Sequence, residues 1–389
     1  MSLEKPLDEI AESDLQILVD NQADESLVLE FKRELPTNNK EIAKDVSSMA
    51  NAKGGFLIYG IGEDDNNRAS ELVGVETKGT KEKIENIILS SIQPKLEVDI
   101  KPIPLQSGSS KAAILLRIPE STRAPHMVSA GGEYRYYRRR NFQASMMEEF
   151  EVRELYSRTV DLSKRVEDFL LSKGYGLLDP NKNGEPWKSI LICPMLLQDD
   201  LVKIDNETRD FVRNLPAMYQ DDLTIFWRDL EPSVDGFECV GREREPPELI
   251  YRTFELNRNG FVQIARRITT NPPEEKKIFA YDIALQLING LLFASRLYDR
   301  IAYLGNVKVI LGLNNIPAFE LARASRGPFL DRAALRGRST LLIPRDKYSG
   351  TLSTQAEHIA KDMMDQLYNA FGLMKSDVFD DSGKFRPLR

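Results

Sequence analysis

The sequence predicts an α+β protein: a mixed sheet with helices in an N-terminal domain, followed by a second mixed α/β domain. Three observations predict it. The chain has 389 residues, which at about 150 per domain means two to three domains. Hydrophobic residues make up 41% and charged residues 29%, enough to bury a core and too apolar for a disordered chain. Finally, segments of period 2 and period 3.6 alternate through the first half in the order β-α-β-β-α-β-β-β-α, and the second half follows a different pattern. The domains are placed at residues 1–160 and 161–389.

The elements follow in order. Residues 8–22 space Ile10, Leu15, Leu18 and Val19 as a short helix. Residues 26–32 alternate as a strand, with Leu27, Leu29 and Phe31 on one face and Glu30 and Lys32 on the other. Asn38 with Glu41 starts a helix through Ala52 that buries Ile42, Val46 and Met49, and Gly54-Gly55 ends it. The apolar run 56–61 is a buried strand, and the polar residues 63–68 turn the chain into a short strand near 72–75. A helix over 80–92 stops before Pro94, and strands follow at 96–105, 111–118 and 134–139. Ser145 and Glu148 cap a helix to about Arg158 whose pattern runs on to Leu171, which leaves the boundary near 159–164 loose.

Beyond it, strands are predicted at 189–196, 223–227, 307–313 and 340–343. A hairpin over 251–267 turns at Asn257-Arg258-Asn259-Gly260. A long helix over 274–303 presents Phe279, Ile283, Leu287, Leu291 and Leu292 for packing or for a dimer interface, and a last helix covers 354–371. Trp187 and Trp227 read as core, and the tail after Lys375 as mobile.

Composition excludes several functions. The formal charge of −7 rules out a generally basic nucleic-acid coat, so contact with nucleic acid has to come from a local patch. Two cysteines, Cys193 and Cys239, exclude a disulfide framework, and a zinc site would need both of them to meet His126 and His358. No apolar signal core opens the chain, and the apolar stretch 283–297 is broken by Gln286, Asn289 and Arg296. The expectation is a cytoplasmic protein without a membrane span.

Two constellations could carry chemistry. The acidic one comprises Glu25, Glu30 and the Glu63-Asp64-Asp65 run at the exit of the buried strand. Gathered at one sheet end, three carboxylates suit Mg²⁺ or Mn²⁺ and activation of water against a phosphodiester. Glu25 and Glu30 are an odd number of residues apart and point to opposite faces of a regular strand. Convergence requires Glu25 to sit on a turn or a bulge to intervene; otherwise these are solvated loop charges. The basic constellation comprises Arg117, Arg123, His126 and the run Tyr134-Arg135-Tyr136-Tyr137-Arg138-Arg139-Arg140-Asn141-Phe142, arginines for phosphates and tyrosines for bases, with about half of a strand's residues on one face. The alternative is an edge strand kept soluble by its charges. Gly74 to Lys81 imitates a phosphate loop, but Thr80 and Lys81 stand in the reverse of the required order, so a nucleotide site there is the weakest option.

Glu25-Ser26-Leu27-Val28-Leu29-Glu30-Phe31-Lys32, then Ala50-Asn51-Ala52-Lys53-Gly54-Gly55, then Gly60-Ile61-Gly62-Glu63-Asp64 together resemble the Schlafen-type AlbA domain. Residues 118–126 and the tyrosine-arginine strand at 136–139 are similar to its later part, so the resemblance covers about 12–158. It implies a Schlafen AlbA-like nucleic-acid-binding fold that commonly pairs as a homodimer or higher homo-oligomer. It also implies a metal-dependent endoribonuclease cutting RNA such as transfer RNA, or a nuclease on single-stranded DNA, in regulatory or phage-defence settings. On that resemblance Glu25 and Glu30 are catalytic metal ligands, and the third carboxylate is Glu63 or, displaced by one, Asp64. Lys32, on the face of Glu30, would stabilise charge developing on phosphate. The rivals are a non-catalytic nucleic-acid-binding regulator and an ATP-binding protein.

Overall fold

A computed structural model describes residues 3, 5–106, 110–175, 178–215, 229–244, 248–269, 276–322, 335 and 337–386. The expected strand at 223–227, with Trp227, lies outside the described residues. The chain divides into two compact units, Met1–Lys164 and Arg165–Arg389.

In the N-terminal unit a helix α1 (Glu12–Asp20) precedes β1 (Leu29–Lys32), α2 (Asn39–Ala50) and β2 (Gly55–Tyr59). β1 and β2 run parallel, Glu30 opposite Leu57, with α2 as the crossover. The apolar run expected to be one strand breaks at Gly60, whose φ is +99°; a Cβ there would lie 2.8 Å from the Gly74 Cα. The chain therefore turns into a separate hairpin of β3 (Ile61–Glu63) and β4 (Ala69–Leu72), then β5 (Val75–Glu76) and α3 (Thr80–Ser91).

β6 (Ile92–Gln93) is absent from the strands the sequence predicts, whereas β7 (Asp99–Pro104) and β8 (Lys111–Ile118) are among them. Absent as well are β9 (Met127–Ala130) and β11 (Gln143–Met146), which flank the predicted β10 (Glu133–Arg140). These short polar strands carry little apolar alternation, and only their pairing with β10 makes them strands. One sheet has β8 paired to β2, β5 and β7; the other has the order β11-β10-β9-β6. A single helix, α4 (Glu149–Ser172), closes the unit and continues past its boundary.

Two apolar layers cover the first sheet. On one face Leu29, Phe31 and Ile58 pack with Leu15 and Leu18 of α1. On the other Leu57, Tyr59 and Leu116 pack with Ile42, Val46 and Met49 of α2. Strand alternation thus sends Glu30 and Lys32 toward α2. Asn51 fixes α2 against the second sheet: its Nδ2 donates to the carbonyls of His126 (2.9 Å) and Tyr137 (2.8 Å), and its Oδ1 accepts from the His126 N–H (2.6 Å). The glycine pair that follows has an equally local cause, since a Cβ on Gly55 would lie 2.1 Å from the Val28 carbonyl oxygen.

The C-terminal unit is built on β12 (Trp187–Pro194), followed by α5 (Asn206–Asn214), β13 (Glu231–Pro232) and β14 (Gly236–Arg242). The expected hairpin is β15 (Ile250–Asn257) and β16 (Val262–Arg267); then come β17 (Lys277–Phe279), α6 (Ala280–Arg300), β18 (Asn306–Asn314), β19 (Glu320–Ala322), β20 (Leu341–Tyr348) and α7 (Ala356–Ala370). Seven strands form one antiparallel sheet, β13-β14-β15-β16-β12-β18-β20. Ile283, Leu287 and Leu291 of α6 are buried as expected, but Phe279 is 51% exposed at the helix entrance. The tail is docked rather than free: Phe385 is buried and stacks on Tyr281 with ring centroids 5.0 Å apart. Among the described residues no helix is long and apolar enough to cross a membrane.

Candidate functional site

Ser26 and Leu29 form a tight turn before β1, their backbones bonded at 2.9 Å. Glu25 is thus ahead of the strand, and the odd spacing to Glu30 is no obstacle. Its Oε1 accepts the Phe31 N–H at 2.9 Å. The β3–β4 hairpin is tied to the same segment, for the Glu25 N–H donates to the Asn67 carbonyl at 3.1 Å and the Ala69 N–H to that of Ala23 at 3.0 Å. Those bonds bring Glu63 beside Glu25 and Glu30.

The acids gather as the sequence predicts, with one exchange. Asp64 spends its Oδ1 on the N–H groups of Asn66 (2.8 Å) and Arg68 (2.9 Å), and that bonding holds its carboxyl below the usual range. It caps a turn, and Glu63 is the residue in the cluster. The member that sequence reasoning missed is Asp45 of α2, 5% exposed and facing Glu30 and Lys32. Burial, and next the charge of Glu30, push Asp45 up to about 7. Burial pushes Glu25 up to about 7 as well, with repulsion from Glu63 adding to it. Glu63 is raised by burial and by Glu30. Against these, burial of Lys32 is outweighed by the attraction of Glu30, and its ammonium is raised. Tyr59 sends a buried hydroxyl into the same space, where it has no partner among the described residues. Its ionisation is suppressed by burial and by Asp45 and Glu30. A polar residue of α2 falling on the face that also carries Ile42, Val46 and Met49 is the sequence signal for Asp45.

Glu30 is already engaged. Lys32 Nζ lies 2.9 Å from its Oε1, and Arg139 donates to its Oε2. Arg139 also donates to the carbonyls of Ser26 (2.9 Å) and Leu29 (3.2 Å) and is 1% exposed. This corrects its assignment to nucleic-acid contact: Arg139 fastens β10 to the start of β1. The oxygen-only donor set matches a hard divalent cation in chemistry. Its placement does not match: among the described residues no three His, Cys, Asp or Glu side chains stand together as a metal site.

Other basic-strand assignments change too. His126 is fully buried. Its Nδ1 lies 2.7 Å from the Pro94 carbonyl, which can only accept, so Nδ1 carries the proton and Nε2 accepts from the Ser121 hydroxyl at 2.7 Å. Tyr137 packs against the core around α2, and Arg117 pairs with Asp99 at 2.9 Å. These residues hold the fold. Arg123, Arg135 and Arg140 are exposed and Arg138 half-buried, although Arg140 also meets Glu151 at 2.6 Å.

Alternation explains the division. Tyr137 and Arg139 point inward, so Tyr134, Tyr136, Arg138 and Arg140 share the outward face of β10, on which Tyr136 is half-buried against Ala124, Met147 and Leu155. Tyr134 is 65% exposed, and the Tyr136 hydroxyl meets that of Tyr156, itself 52% exposed, at 3.1 Å. Tyr134 and Tyr136 belong to the constellation the sequence predicts, and strand parity separates them from Tyr137. The arginine face and the acidic cluster therefore lie on opposite sides of β10.

A mixed sheet wrapped on α2, an outward tyrosine-arginine strand and a carboxylate cluster make this an α+β domain. Residues 25–148 match the family described as Schlafen, AlbA_2. The match points to a nucleic-acid-related role. No curated protein matches the chain. Among solved structures, the DIP2311 protein of Corynebacterium diphtheriae is similar at 19% identity and a TM-score of 0.26, over 36% of this chain and 27% of that one. The N-terminal domain of a DNA helicase RecG-related protein of Nitrosomonas europaea is similar at 18% identity and a TM-score of 0.27, over 36% of this chain and 93% of that one.

Proposed function

We propose that the N-terminal unit binds nucleic acid, RNA or single-stranded DNA, on the outward face of β10. One observation carries this reading: Arg138 and Arg140 alternate with Tyr134 and Tyr136 on one face of a strand, in a chain of net charge −7. Arginine forks hold phosphates and exposed aromatic rings stack bases. Arg123 and Arg135 are also exposed, Arg135 on the other face of β10. A second reading is favoured by the gathering of Glu25, Glu30, Asp45 and Glu63 around Lys32: cleavage of the bound strand. Mg²⁺ or Mn²⁺ is the cofactor proposed for it; because the carboxylates do not stand together as a metal site among the described residues, Glu25, Glu30 and Glu63 would serve as oxygen donors only after their side chains rearrange. Glu30 would have to exchange its present partners for the ion.

One titration tests both readings. Labelled transfer RNA, single-stranded RNA and single-stranded DNA are bound over a range of salt, with Mg²⁺, Mn²⁺ or chelator. Removing one arginine that neutralises a phosphate lowers the salt slope by about 0.7 on a single strand, so the Arg138→Ala, Arg140→Ala double variant is expected to lower it by about 1.4. An unchanged slope contradicts binding on this face. Should the wild type cut with Mn²⁺, Glu63→Gln is expected to cut at least about 100-fold more slowly while binding equally well. Equal cutting by that variant, or none by the wild type, leaves a binding module.

A further inference from the structure

The register of the C-terminal sheet sets Arg252 of β15 opposite Arg266 of β16, and Arg266 opposite Lys188 of β12. Residues directly opposite share a face, so three cations stand in one row across three central strands. Gly241 of β14 continues the row: a Cβ there would lie 2.4 Å from Arg252 Nε and 2.5 Å from its Cγ, so the glycine provides the bed for that side chain. Lys188 is 3% and Arg252 7% exposed. Like charges directly opposite one another repel; here Lys188 is paired with Asp282, and Arg252 lies over the Tyr251 ring, 5.3 Å from its centroid.

A cavity of about 340 Å³ opens over Lys188 and Arg266, within the range of small-molecule sites. Arg267, also in its lining, is held by Glu185 and Glu243. The carboxylate in the lining, Asp282, is paired with Lys188. Two aromatic residues also line the cavity, Tyr251, whose ring carries the Arg252 guanidinium, and Phe279, with half its surface bare. Phe279 is also the N-cap of the 21-residue α6 and makes no side-chain cap, so the helix adds its positive end to the same cavity.

We propose that this cavity binds a nucleotide, its phosphates over Lys188 and Arg266 and its base against Phe279 and Tyr251. An arriving phosphate competes with Asp282 for the Lys188 ammonium. Loss of the arginine and loss of the aspartate charge therefore act in opposite directions, and neither effect depends on the N-terminal unit.

Calorimetric titration of the full chain with ATP, ADP, AMP and inorganic pyrophosphate tests the site. At least one nucleotide is expected to bind at one per chain. Arg266→Ala is expected to weaken it about tenfold or more, and Asp282→Asn to tighten it several-fold. Phe279→Ala removes an exposed ring and leaves the fold intact; it is expected to weaken the nucleotide and not pyrophosphate. Three results overturn the proposal: no nucleotide binding up to about 1 mM, affinity untouched by Arg266→Ala and Asp282→Asn, or pyrophosphate binding as tightly as every nucleotide whether or not Phe279 is present.

Discussion

Arg139→Ala is expected to lower the stability of the N-terminal unit by about 3–5 kcal/mol, the cost of leaving one member of a buried ion pair uncompensated. Three acceptors lose one of their donors at once: the Glu30 carboxylate and the carbonyls of Ser26 and Leu29. Lys32 remains to answer one Glu30 oxygen, which is why the loss stays within that range. Arg138→Ala, one position away on the outward face, is expected to change stability by no more than about 0.5 kcal/mol. Denaturant unfolding of the two full-length variants checks the contrast. Similar midpoints would mean that the inward and outward parity of β10 is wrong, and with it the whole division of the basic strand.

The second large effect concerns pH. Burial, with the nearby Arg123 charge adding to it, lowers His126 from about 6.5 to about 4. The unfolded chain therefore binds more protons between those values, and stability rises with pH across the window. On acidification the contribution is complete above pH 6.5, falls by about 1.4 kcal/mol per unit below it, and has lost about 3 kcal/mol near pH 4. His126→Gln cannot take up the proton, so the difference in stability between wild type and variant is expected to shrink as pH falls through the window. Carboxylates titrate there in both proteins and cancel in the difference. Parallel stability curves for the two would show that His126 takes up its proton as readily in the fold as in the unfolded chain.

Much of this domain could be read from the sequence because its signals are local. The turn glycines at Gly54-Gly55, the capping Asn38 and the alternation around Leu29 and Phe31 act over a few residues, and the elements they define are present. The acidic cluster was visible as a set of residues and not as a geometry. Glu25 reaches Glu30 only through the turn at Ser26, and Glu63 joins them through backbone bonds from Asn67 and Ala69, neither of which residue spacing reveals. Asp45 was hidden because a helix pattern is read for its apolar members. His126 and Arg139 looked like ligands because their type was weighed before their strand parity and burial. Short strands such as β9 and β11 depend on a partner strand for their existence, and nothing in their own residues announces it.

Whether nucleic acid meets the outward face of β10 is tested most directly by photo-cross-linking. The full chain is linked to a halogenated-uracil RNA or DNA strand, and the linked peptides are identified by mass spectrometry. Cross-links at Tyr134 and Tyr136, extending to Tyr156, are the expected result. Cross-links confined to the side of Glu25, Asp45 and Glu63, or to residues beyond 165, would contradict it.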